Sequence, residues 1–293
     1  MEQKMKYRNI KETLYGRQFN MGGMPIRQPI PSAGIQQVDP FLLLHHADVK
    51  VPQHKPVSQS GVGPHPHRGF SPVTFIFKGG VHHRDSRGND NTIYAGGTQW
   101  MNAGMGIIHS ERPPHDIFEI GGRQEIIQLW VNSPAAHKMD QPHYHPLTAE
   151  KTPTIVTKDG LATIHVIAGE LDGVKGPIPT LSPVNTFTAE FKKGGKYYFT
   201  IPQSHNAFVY LLDGKVNVNN NHIVDGKYAA VFNNDGPGFE VEALEDTRVF
   251  IGSGEPLDEK VASHGPFVMN NETEIMQAFR DYQMGKMGIL IED

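Results

Sequence analysis

Cysteine is absent from the 293 residues of this chain. That excludes disulfides, thiolate zinc sites, iron–sulfur clusters and cysteine nucleophiles. Also missing is any apolar run long enough to span a bilayer, and residues 1–16 (MEQKMKYRNIKETLYG) lack the apolar centre of a signal peptide. A cytoplasmic protein with no membrane partner is the expectation. Nor is there an excess of one charge: the net charge of -4 sets up no global field for nucleic acid or an anionic membrane, so no direct nucleic-acid binding is expected.

What is present points to strands and turns. Glycine (31) and proline (22) are plentiful enough to break the chain into many short segments. Hydrophobic residues make up 38 % of the chain, sufficient for a real core. Val73-Thr74-Phe75-Ile76-Phe77 is β-branched and aromatic and ends at Lys78-Gly79-Gly80. Ile126 to Val131 reads as a second strand, ended by Asn132-Ser133-Pro134. Ser86 to Asp90 (SRGND) carries the residues of a hairpin loop. The pattern predicts an all-β sandwich or barrel rather than alternating strands and helices.

The theme recurs after residue 153. Thr163 to Gly169, Tyr197 to Ile201 and Phe208 to Leu212 are further strand-like runs. VTFIFKGGV (73–81) and VYLLDGKV (209–216) correspond as strand, glycine turn and return strand, which suggests a duplicated β domain. The expected organisation is a first barrel over 1–135, a connector over 136–152 and a second barrel over 153–293. In the last segment NETEIMQAFRDYQM (271–284) predicts a helix. Asn271 is its cap, Glu274 stands three residues on, and Ile275, Ala278, Phe279 and Tyr282 form a stripe that packs on a barrel.

Of 16 histidines, 12 fall between His45 and His145. Clustering alone means little; spacing is more selective. His65-Pro66-His67 and His109-Ser110-Glu111 each place two potential ligands at i and i+2 of a strand, hence on one face. On neighbouring strands the two pairs would present three imidazoles and a carboxylate to one ion. These nitrogen and oxygen donors suit Fe(II), Mn, Co, Ni or Zn rather than a soft metal.

The chain around these residues resembles the pirin family of the cupin superfamily. The resemblance rests on GPHPHRGF (63–70), HRDS (83–86), Gln99-Trp100-Met101, GIIHSE (106–111), LWVN (129–132) and GPFVMN (265–270), and so spans nearly the whole chain. It implies a bicupin: two jelly-roll-type β-barrels packed face to face, with the metal in the first, to which the sequence pattern adds the short C-terminal helix. It also implies His65, His67, His109 and Glu111 as ligands, iron as the usual metal, and an oxidoreductase activity of the quercetin 2,3-dioxygenase kind on a small aromatic substrate and O2. In that reaction Glu111 would be the catalytic base. The alternative it implies is a non-catalytic, redox-responsive regulatory protein. One departure is notable: the cupin glutamate expected soon after the second histidine is replaced by the Ser71-Pro72 stretch, leaving Glu111 as the obvious carboxylate.

Other residues receive milder expectations. His83 is a pocket or outer-layer candidate, although with Arg84 and Asp85 it more simply fixes the hairpin. Gln128 and Trp130 share a strand face and are candidates to line the cavity. Leu44-His45-His46-Ala47-Asp48 stands where some members of the family carry acidic residues, a departure that can alter the pocket rim or oligomer contacts. Arg68 is expected in a structural ion pair, Trp100 and Met101 in the core, and His137, His143 and His145 in solvent. The second barrel offers only His205 where the first has His-x-His, so it is expected to be metal-free.

Overall fold

The structure, a computed structural model, describes residues 6–21, 23–53 and 56–292. The chain separates into two compact units that interleave along the sequence. One contains residues 18–26, 41–151 and 257–293; the other contains 1–17, 27–40 and 152–256.

Each unit is a pair of antiparallel sheets. In the unit built on residues 41–151, the larger sheet runs in the order His143–Leu147, Thr98–Asn102, Phe70–Lys78, Arg123–Asn132, Phe41–Lys50, Met24–Ile30, Arg17–Met21. The smaller sheet has the order Val62–His67, Ile107–Arg112, Gly80–Asp85, Asp90–Tyr94. The SRGND turn joins the last two as expected. Phe75, Ile127, Leu129 and Trp100 share the face of the larger sheet opposite Thr74 and Gln128 and are nearly inaccessible to water.

The other unit repeats the plan with seven strands in one sheet and four in the second. Val184–Phe191 shows why the sequence folds this way. Phe187, Ala189 and Phe191 alternate into a core with Phe199, Val209, Phe239 and Ile251, while Glu190 faces out. The matched runs 73–81 and 209–216 are indeed equivalent strand–turn–strand units, with turns at Gly79 and Gly214.

Three features depart from the expected division. Ile10–Tyr15 pairs with Tyr228–Phe232 and so belongs to the unit of residues 152–256. The predicted connector contributes a strand, His143–Leu147, hydrogen-bonded to Thr98–Asn102. The C-terminal helix, Glu272–Gln283, is not part of the second barrel but returns to the unit of residues 41–151.

The attachment of that last segment is polar as well as apolar. Val268 N–H donates to the Arg68 carbonyl at 3.0 Å. The buried Arg68 guanidinium donates to Asp281 Oδ2 at 2.9 Å, which is the expected structural ion pair. Lys138, only 1 % exposed, donates to the Gly69 carbonyl (2.6 Å), Asn132 Oδ1 (2.6 Å) and the Val268 carbonyl (3.2 Å). Gly69 is required here: its φ is +84°, and a Cβ would lie 1.9 Å from the Val268 carbonyl oxygen. The helix begins as predicted, Asn271 Oδ1 accepting from Glu274 N–H at 3.0 Å. Its Ile275 and Ala278 bury against Phe267, Met269 and Met287, while Tyr282 at the end of the stripe stays exposed.

Candidate metal centre

The two ligand-bearing strands are neighbours. Val62–His67 pairs antiparallel with Ile107–Arg112, with His65 opposite His109 and His67 opposite Ile107. Between His65 and Val62 the register slips: three steps on one strand oppose the two from His109 to Glu111. This bulge falls at Gly63-Pro64, where proline has no ladder N–H to lose. Gly61, with φ +74°, passes so close to the Glu111 carbonyl that a Cβ would lie 2.4 Å from its oxygen.

Three imidazoles converge as the spacing predicts. The ligand atoms of His65, His67 and His109 lie within 4.8 Å of one another, and His65 Nε2 stands 3.0 Å from His109 Nε2. Each ring is anchored through its other nitrogen. His65 Nδ1 is 2.8 Å from the Gly63 carbonyl, His67 Nδ1 is 3.3 Å from the Pro266 carbonyl, and His109 Nδ1 is 3.4 Å from His83 Nδ1. A carbonyl can only accept, so the first two rings carry their proton on Nδ1 and offer a lone pair at Nε2. His67 Nε2 is buried and has no hydrogen-bond partner. Burial, reinforced by the neighbouring His65, holds His67 and His109 well below the ordinary histidine range, so both are neutral.

This donor set fits a divalent metal. Two nitrogens at about 2.1 Å from one ion and at a right angle are separated by about 3.0 Å, the order of the His65–His109 spacing. An orphaned buried nitrogen aimed at the same point costs free energy unless something fills it.

Glu111 stands beside this cluster rather than within it. Its Oε1 accepts from Thr74 Oγ1 at 2.6 Å and its Oε2 from Gln128 Nε2 at 2.7 Å. Thr74 and Gln128 face each other across paired strands, so one sheet supplies both donors to a carboxylate carried by the other. Glu111, His65 and His67 line a cavity of about 230 Å³ with Gln128 and Trp130, as the sequence suggested for the last two. Met21, Met24, Ile26, Val81 and Ile126 make much of the remaining wall apolar. His45 lines it too, and burial takes its pKa down to about 4, so it enters as a neutral ring.

Sequence reasoning missed three contributors. Thr74 lay inside a run read only as a strand. Tyr144 lay in the presumed connector, yet its ring stacks on His83 at 4.1 Å with the planes 4° apart. Asp85 was assigned to the hairpin alone; it does hold Arg87 N–H and Asn89 N–H, but its Oδ2 also lies 3.0 Å from His83 Nε2. His143 is exposed as expected, while His137 and His145 are half-buried. Trp100 and Met101 are core residues. In the other unit His205 is buried with Nδ1 3.3 Å from Ser253 Oγ.

Comparison with known proteins follows the same lines. Residues 23–131 match the Pirin family model, and 186–288 match that of the Pirin C-terminal cupin domain. A Pseudomonas aeruginosa protein provisionally named a quercetin 2,3-dioxygenase is 38 % identical over 267 residues, 90 % of this chain and 92 % of that one. The chain belongs to the pirin family. A pirin-like protein of Solanum lycopersicum is 35 % identical across 95 % of this chain and 92 % of its own. The crystal structure of a quercetin 2,3-dioxygenase from Acinetobacter baumannii superposes with a TM-score of 0.90 at 36 % identity, covering 98 % of this pirin and all of that chain. The fold is thus the expected bicupin: mostly β, with two cupin domains and a C-terminal helix. No helix among the described residues is long and apolar enough to cross a membrane.

Proposed function

We propose that this pirin is a metal-dependent dioxygenase of quercetinase type, acting with O2 on a small hydroxylated aromatic molecule. The observation that carries the reading is the three-imidazole cluster, two of whose rings, His65 and His67, line a largely apolar cavity together with the Glu111 carboxylate. The names of the Pseudomonas and Acinetobacter relatives support the reaction class. His65, His67 and His109 would hold the metal, with Glu111 as a fourth ligand when its carboxylate turns from Thr74 or Gln128. Iron is the metal proposed; the donor set also accepts manganese, cobalt, nickel or zinc, and a bacterial pirin from Escherichia coli with the same fold was solved with nickel(II). When bound, the metal supplies Lewis-acid stabilisation of an anionic substrate oxygen.

The residues of the chain do the rest. Glu111 accepts the proton of a substrate hydroxyl that enters beside it. Thr74 Oγ1 and Gln128 Nε2 each donate to one of its oxygens, fixing the plane of the carboxylate and leaving a lone pair on each oxygen for the incoming proton. Trp130, packed on Phe70 at 4.3 Å, and the methionine and isoleucine wall exclude water from the oxidisable substrate.

Metal content and quercetin-dependent O2 uptake, measured on the same preparation, test the proposal. Glu111→Gln should keep most of the metal and lose turnover by roughly 10²- to 10⁴-fold. Unchanged turnover would remove Glu111 as the base. Full metal occupancy with no O2 uptake on any flavonol would favour the non-catalytic regulatory reading.

A further inference from the structure

The third imidazole of the cluster is anchored differently from the other two. His65 and His67 point Nδ1 at backbone carbonyls, which fix their tautomers outright. His109 points Nδ1 at the Nδ1 of another histidine, His83, 3.4 Å away and at the long end of hydrogen-bond range. Two ring nitrogens can share only one proton, so the tautomer of His109 depends on that of His83.

His83 is itself determined by Asp85. Its Nε2 lies 3.0 Å from Asp85 Oδ2, and a carboxylate accepts, so the His83 proton sits on Nε2 and its Nδ1 carries a lone pair. That lone pair accepts from His109 Nδ1–H, which leaves His109 Nε2 unprotonated and facing His65 and His67. Asp85 is in turn well fixed. Oδ1 accepts from the backbone N–H groups of Arg87 (2.9 Å) and Asn89 (3.1 Å), and Oδ2 also accepts from Asn89 Nδ2 (2.8 Å). The His83 ring cannot swing away, because Tyr144 lies flat against it and both His83 and Asp85 are buried. Strand register makes the arrangement possible: Asp85 is opposite His109, and His83 is opposite Glu111.

We infer that Asp85 and His83 are positioning residues that set the metal-binding tautomer of His109, through the chain Asp85–His83–His109. The inference rests on the metal reading of the cluster and adds two residues to it. It also gives His83 a task beyond fixing the hairpin.

Asp85→Asn is the informative change. The two backbone N–H groups keep the amide oxygen at the Oδ1 position, so the amide nitrogen takes the place of Oδ2, donating one hydrogen to His83 Nε2 and the other to Asn89, whose amide turns over to present its oxygen. The His83 proton then moves to Nδ1, His109 must accept there, and its own proton is driven onto Nε2, where the metal would bind. The comparison is made by chelator competition for Co(II) on wild type, Asp85→Asn, His83→Phe and the double variant, with the Co(II) absorption spectrum as a second readout. His83→Phe keeps a ring for Tyr144 to stack on but ends the chain.

Asp85→Asn is expected to weaken Co(II) by roughly 10- to 100-fold, the usual scale for a residue behind a ligand, and to alter its spectrum. In the His83→Phe background the same change should have no further effect on affinity. An equal loss in both backgrounds would show that Asp85 acts only through the turn and would overturn the inference. Wild-type affinity in Asp85→Asn would also overturn it. Failure of the wild type itself to bind Co(II), iron or nickel would instead overturn the metal reading, and the inference with it.

Discussion

Replacing Lys138 with Met tests how the C-terminal segment is held against the unit that carries the histidine cluster. The ammonium donates to three buried acceptors, the Gly69 and Val268 carbonyls and Asn132 Oδ1. Hydrogen bonds from a charged donor contribute about 1.5–3 kcal/mol each, so the gross loss is roughly 5–9 kcal/mol. Against this stands the cost of burying the charge. Burial lowers the Lys138 pKa from 10.5 to about 8, with Glu259 and Glu274 opposing the shift, and this corresponds to about 3 kcal/mol. Hydrogen bonding wins, and Lys138→Met should cost roughly 2–5 kcal/mol at pH 7. The sign of the pH dependence follows. The unfolded chain holds this proton more tightly than the folded one between pH 8 and 10.5. The burial penalty therefore applies in full below pH 8 and fades as the pH rises, so the stability gap between wild type and Lys138→Met widens by up to about 3 kcal/mol across that window. Urea denaturation of both proteins at pH 7 and at pH 10 measures it. A loss below about 1 kcal/mol at pH 7, or a gap that narrows with pH, would refute the account.

Two further changes probe the same construction. Gly69→Ala forces a Cβ to 1.9 Å from the Val268 carbonyl at a φ of +84°, and should destabilise the protein by more than about 3 kcal/mol in thermal or urea unfolding. It should also weaken metal binding, because Val268 lies two residues from Pro266, whose carbonyl orients His67. Gln128→Leu removes the donor to Glu111 Oε2 at nearly constant size. The expectation is a roughly 10- to 100-fold fall in kcat with metal content and circular dichroism unchanged; an unchanged kcat would show that Gln128 does not hold the base.

Much of the site was legible because its signal is local. His65-x-His67 and His109-x-Glu111 state their geometry through strand alternation alone, and Asn271 with Glu274 states a helix start. What stayed hidden was decided by distant partners. His143–Leu147 (HYHPL) has no strand periodicity, and becomes a strand because Thr98–Asn102 offers it a free edge. Nothing in residues 257–293 reveals that they return to the first unit. That outcome is fixed by Arg68 and Lys138, two charged side chains whose burial no hydrophobic pattern announces. Glu111 illustrates the middle case. Spacing placed it on the correct face, but the Thr74 and Gln128 donors that turn its carboxylate aside belong to the opposite sheet.

The interleaving of the two units bears on how the protein is made. His65, His67, His109 and Glu111 all leave the ribosome well before Pro266, whose carbonyl fixes the His67 ring. A nascent chain that has just released residue 151 already carries every proposed ligand and still lacks the clamp that orients one of them. Loading of the proposed metal in its mature geometry therefore waits until residue 266 has emerged. For the same reason a fragment of residues 1–151, however soluble, is not a miniature of the unit that carries the histidine cluster.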